Sequence, residues 1–126
     1  MIDHVSIAVA DLEGSAAFYE AVLAPLELAR LVVREAATGF GKRYPEFWLN
    51  ARPGLAPQPE TTGIHVCLRA PSDEAVRQFH AAALARGGRD AGPPGPRQAA
   101  FTTYFGAFIL DFDGNKIEAV SFPRAG

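Results

Sequence analysis

Two stretches of this chain put a histidine in the same setting. IDHVSIAVAD places His4 among alternating apolar residues, and GIHVCLRA places His65 in the same position 61 residues later. A lone histidine in a strand is more often a hydrogen-bonded structural residue than a ligand. Recurrence at a repeated position favours a ligand. In the last apolar segment, NKIEAVS, Ile117 and Ala119 alternate with Lys116, Glu118 and Val120. If Ile117 faces the core, Glu118 shares the open face with the two histidines. Two imidazoles and one carboxylate suit a divalent first-row metal with open positions for substrate or water; Fe is typical, and Mn, Ni, Co or Zn fit as well.

The elements that must position these residues follow from periodicity. From Ile2 to Ala10, Ile2, Val5, Ile7 and Val9 alternate with His4, Ser6 and Ala8, the period-two pattern of a half-buried strand. Asp11 then serves as a helix cap. Ala16, Ala17, Phe18, Val22 and Leu23 follow at helical spacing until Pro25. Leu28–Arg34, Gly39–Lys42 and Glu46–Asn50 read as three more strands bounded by turn formers. ARPGLAPQPE, residues 51–60, is a Pro-rich loop.

After the loop the pattern repeats. Val66 falls on Val5, Leu68 on Ile7, Ser72 on Asp11, Phe79 on Phe18 and Leu84 on Leu23. Gly87-Gly88 end the second helix, and Gly92–Pro96 is expected to be a loop. Ala100–Thr103, Tyr104–Asp111 and Asn115–Ser121 are expected strands, the last two joined at Asp113-Gly114. The expected fold is therefore α+β: one domain over residues 1–126, made of two tandem βαβββ modules at about 1–52 and 61–126 that form a cupped mixed sheet.

Composition narrows the function. A net charge of −2 gives no basic stripe for nucleic acid, and no apolar run is long enough to span a bilayer. One cysteine, Cys67, and no signal-peptide pattern point to a reducing, cytoplasmic location. GFGKRY lacks the helix that a phosphate loop needs.

Other residues are candidates on the same face. Arg69 can clamp a substrate carboxylate or phosphate, or end a strand in solvent. Tyr104 can donate a hydrogen bond or a proton, or pack at a sheet edge. Ser6 can bond a substrate. Trp48, Phe47, Phe105 and Phe108 supply apolar area, most of it for the core. Cys67 has no neighbouring base and reads as inert; His80 reads as solvated helix surface.

IDHVSIAVADLEGSAAFYEAVLAPL, GIHVCLRAPSDEAVRQFHAAALARGG and YFGAFILDFDGNKIEAV together resemble the vicinal oxygen chelate superfamily, which contains glyoxalase I, extradiol dioxygenases and bleomycin-resistance proteins. The resemblance covers nearly the whole chain. It implies paired modules around a metal, commonly in a homodimer, with His4, His65 and Glu118 as ligands; Ser6, Trp48, Arg69 and Tyr104, read from the residues themselves, are the expected contacts of a small substrate. Glyoxalase I would place a further carboxylate in the last strand of the first module. The duplication puts Trp48 there; a two-residue slip would put Glu46 there. The implied function is a metal-dependent lyase, isomerase or dioxygenase acting on a substrate chelated through adjacent oxygens. The alternative is a metal-free binding protein of the bleomycin-resistance type.

Overall fold

The computed structural model describes residues 1–123. Strand β1 (Val5–Val9) leads into helix α1 (Leu12–Leu23), then strands β2 (Ala29–Val33), β3 (Ala37–Gly41) and β4 (Phe47–Ala51). The second copy runs β5 (Val66–Arg69), α2 (Asp73–Ala85), β6 (Arg89–Gln98), β7 (Thr103–Leu110) and β8 (Lys116–Ser121). Each module makes a four-stranded sheet of the same topology, ordered β1-β4-β3-β2 and β5-β8-β7-β6. In each, the first and last strands are parallel and the other pairs antiparallel.

Local chemistry explains both helix starts. The Asp11 carboxylate accepts the Gly14 N–H and the Ser72 hydroxyl accepts the Ala75 N–H, so each helix has one otherwise orphaned first-turn donor satisfied. Helix α1 buries Phe18, Tyr19, Val22 and Leu23, and α2 buries Val76, Phe79 and Ala83, against the covered sheet faces that carry Phe47, Leu49, Ile109 and Ile117. Burying one such large side chain is worth roughly 1.5–3 kcal/mol.

Polar bonds sew the modules together at the β7–β8 turn. Tyr19 Oη donates to buried Asp111 at 2.7 Å, Asn115 Nδ2 donates to the Ala8 carbonyl at 2.9 Å, and the Ala10 N–H donates to Asp113 at 3.0 Å. Burial raises the Asp111 carboxyl above its usual range, although Tyr19 and Asn115 pull it down by bonding the charged form.

Three expectations change. The Pro/Gly segment 92–96 is not a loop: it lies within β6, which pairs with β7 through register shifts at Asp90/Gly92 and Gly92/Gly95. β6 is an edge strand, where a proline without an N–H forfeits no ladder bond on its open side. Residues 100–102 form the bend between β6 and β7, closed by the Ala99 N–H donating to the Thr102 carbonyl, rather than a separate strand. His80 is not solvated surface. It is 8% exposed, with Nε2 2.8 Å from Asp90 Oδ1, and ties α2 to the start of β6.

Candidate functional site

The uncovered face of the second sheet is set by register. β8 pairs Glu118 with Cys67 of β5 on one side and with Phe108 of β7 on the other. Ile117 and Ala119 are fully buried beneath the helices, so strand alternation turns Glu118 to the opposite face. There the carboxylate, only 4% exposed as a residue, has two neighbours. His65 Nε2 lies 3.2 Å from Oε1, and Tyr104 Oη donates to Oε2 at 3.1 Å.

Gly106 makes the Tyr104 contact feasible. A Cβ at this position would lie 2.9 Å from Tyr104 Cε2 and 3.4 Å from Glu118 Oε2, so the glycine leaves room for the phenol to lie across β7 to the carboxylate. Partial burial, then the bond to Glu118, raises the Tyr104 pKa, which keeps the phenol protonated as a donor. Cys67 projects from the same face, and its thiol is pushed up to about 12 by desolvation first and Glu118 second.

The histidines are not joined within the chain. His4 stands just outside β1 rather than inside it, and its Nδ1 is 2.6 Å from Asp3 Oδ1, which also accepts from Tyr44 Oη at 2.9 Å. His4 lines a depression of about 280 Å³ with Ser6, Arg34, Tyr44, Trp48 and Asn50. His65 lines a cleft of about 270 Å³ between the modules with Ser6, Gln58, Thr62, Asn115 and Lys116. Ser6 borders both. Among the described residues, no three His, Cys, Asp or Glu side chains are grouped to hold a metal ion.

Pseudo-symmetry relates the two halves. Ser6 pairs with Trp48 as Cys67 pairs with Glu118, so the repeat carries Glu118 onto Trp48, while Glu46 lies one residue ahead of β4. The Arg34 guanidinium lies 5.3 Å from the Trp48 ring centroid. An indole has no lone pair to give a metal, so the first module contributes a carboxylate neither at the paired position nor within β4. Arg69 stacks on Phe122 at 4.7 Å, at the far end of the face from His65.

Sequence reasoning missed Asp3, Tyr44 and Arg34 in the first half and Arg97 and Lys116 in the second as polar or charged parts of the face. The adjacent Asp3-His4 pair was a readable signal, since a carboxylate beside a histidine commonly orients the ring. The others depend on cross-strand neighbours that spacing alone does not supply.

A profile of the Glyoxalase/Bleomycin resistance protein/Dioxygenase superfamily matches residues 1–119. The chain belongs to this superfamily. A glyoxalase/bleomycin resistance protein from Albidiferax ferrireducens is similar at 34% identity and a TM-score of 0.82, over 94% of this chain and 97% of that one. Two more distant structures share the fold. A genomically encoded fosfomycin resistance protein from Listeria monocytogenes is 16% identical at a TM-score of 0.69, over 98% of this chain and 93% of that one. A glyoxalase I mutant from Zea mays is 21% identical at 0.73, with 94% of this chain matching 44% of that one. No curated protein matches the chain. The superfamily commonly binds a divalent metal and is generally dimeric and small-molecule-binding. His65 and Glu118 offer such an ion an imidazole nitrogen and a carboxylate oxygen, and they form a pair rather than a complete set. No helix of the described chain is long and apolar enough to cross a membrane.

Proposed function

We propose that this protein is a divalent-metal-dependent enzyme of the lyase, isomerase or dioxygenase type, acting on a small substrate with adjacent oxygens. His65 and Glu118 hold the ion together with His4 contributed by a second copy in a homodimer. The carrying observation is the Glu118 carboxylate, buried yet facing the cup and in contact with His65. The hydrogen bond between His4 Nδ1 and Asp3 supports the role given to His4: a carboxylate on one ring nitrogen leaves the other as the ligand and fixes the ring plane.

In this reading the ion, when bound, stabilises negative charge that develops on a substrate oxygen. Tyr104 holds Glu118 in its ligating rotamer through the 3.1 Å bond. Ser6, bordering both depressions, donates to the bound substrate, and the Trp48 indole provides an apolar wall. Arg69 stands at the rim. The metal is one of Fe, Mn, Ni, Co and Zn, and the setting is cytoplasmic. The second reading, a metal-free binding protein, is favoured by one observation: Trp48, not a carboxylate, occupies the place symmetric to Glu118.

Elemental analysis of protein purified without a metal-affinity tag tests the proposal. One divalent ion per chain is expected in the wild type, with loss in His4→Ala, His65→Ala and Glu118→Ala. Mixed dimers of His4→Ala and Glu118→Ala chains should regain one intact site, because one of their two shared sites carries neither substitution. Metal-free wild type, even after adding back Fe, Mn, Ni, Co or Zn, would transfer the protein to the binding class.

A further inference from the structure

On the Glu118 face, one aromatic ring gathers the cations. The Arg97 guanidinium lies 5.4 Å and the Lys116 ammonium 4.9 Å from the Phe108 ring centroid, and the His65 ring is edge-on to it at 5.6 Å. These residues come from four separate parts of the second sheet: β6, the start of β8, β7, and the residue before β5. Their convergence is therefore tertiary and not a run of basic sequence.

Among the described residues no carboxylate lies within 4 Å of Arg97 or Lys116, although seven other pairs meet that limit. Glu118 is beside Phe108 in register, yet its oxygens are directed to His65 and Tyr104. Asp90 senses Arg97 only through space, and its carboxylate is bonded to His80 and the Gly92 N–H. Arg97 donates one N–H to the Pro93 carbonyl at 2.7 Å, while its buried Nε has no partner. Gly92 leaves room for this arrangement, since a Cβ there would lie 3.2 Å from the Arg97 guanidinium.

Two like charges brought to one half-buried ring repel each other, and a ring quadrupole offsets little of that at about 0.5–1 kcal/mol per contact. An anionic group docked on this face lowers the positive potential there and accepts charge-assisted hydrogen bonds from the cation it meets, with the other acting through space across the ring. Lys116 also lines the cleft of about 270 Å³ beside His65, which gives such a group an entry.

We propose that Arg97 and Lys116, gathered on Phe108, form an anion-binding subsite, so that the substrate is a small organic acid whose carboxylate or phosphoryl group docks there while its other oxygens point toward His65 and Glu118. The identification of that anion as the substrate's tail rests on the proposed function; the subsite itself does not.

The test is an NMR titration of the EDTA-dialysed protein with pyruvate and with inorganic phosphate, following backbone amides of β6 and β8. Saturable shifts are expected, with Kd raised at least fivefold by Arg97→Gln and by Lys116→Gln and unchanged by Arg52→Gln, a cation outside the cup. Saturation by pyruvate alone assigns a carboxylate, and by phosphate alone a phosphoryl group; each supports the subsite. Equal weakening by Arg52→Gln, or binding insensitive to both cup substitutions, overturns it. His65→Ala and Glu118→Ala chains separate the two claims: anion binding retained in them while wild-type metal content proves nil would leave the subsite standing and remove the metal reading.

Discussion

Glu118 and Cys67 occupy facing positions on adjacent strands, so the carboxylate bears directly on the thiol. The carboxylate is useful there because its charge is answered by His65 and Tyr104; the thiol is disabled because that charge, added to desolvation, opposes a second anion. Raising a thiol from its ordinary 9.0 to about 12 lowers its thiolate fraction roughly a thousandfold at pH 8. Iodoacetamide should therefore alkylate Cys67 far more slowly than a free peptide thiol, despite its exposure, and Glu118→Gln should speed the reaction. Mass spectrometry of timed samples checks both. At this scale the sequence was informative where a residue's partner is its neighbour in the repeat. His65 and Glu118 were placed on one face by parity alone. Arg97 was not, because its significance comes from Phe108, eleven residues away across a hairpin.

At the level of elements, alternation and capping residues were enough to read β1, α1, β4, β5, α2 and β8, because each buries one face and begins or ends on a residue with a clear preference. β6 escaped because its prolines and glycines are turn formers in isolation. What makes them a strand is the partner β7 on one side and nothing on the other. The strand's start is pinned by Asp90, whose carboxyl is held below its usual range by His80 first and the Gly92 N–H second. A lowered folded pKa means that this stabilisation is complete above the ordinary 3.8 and is lost as pH falls through the folded value. Asp90→Asn should consequently lower Tm at pH 6. Its Tm should also fall less steeply than the wild type's below about pH 4, as thermal melts across that range will report.

Taken whole, the molecule is two similar sheets with polar crossings gathered at the β7–β8 turn, where Tyr19, Ala8 and Ala10 of the first module meet Asp111, Asn115 and Asp113 of the second. Tyr19→Phe would leave the buried Asp111 short of one donor, an expected loss of about 1–3 kcal/mol in denaturant unfolding. Because the lost bond is the one between modules, hydrogen exchange should quicken at the turn as well as in α1. Duplication was legible because both modules keep the same capping and core spacing; how the modules face each other was not, since those crossings depend on single side chains. The same duplication leaves the two cup halves chemically unlike. One is an imidazole and carboxylate; the other holds Trp48, half-buried beneath the Arg34 guanidinium. Trp48 is the chain's single tryptophan. Its emission therefore comes from one known wall of the cup, and any ligand or second chain that displaces Arg34 or dries the indole will shift the intrinsic fluorescence without a label, giving the protein its own optical gauge of occupancy.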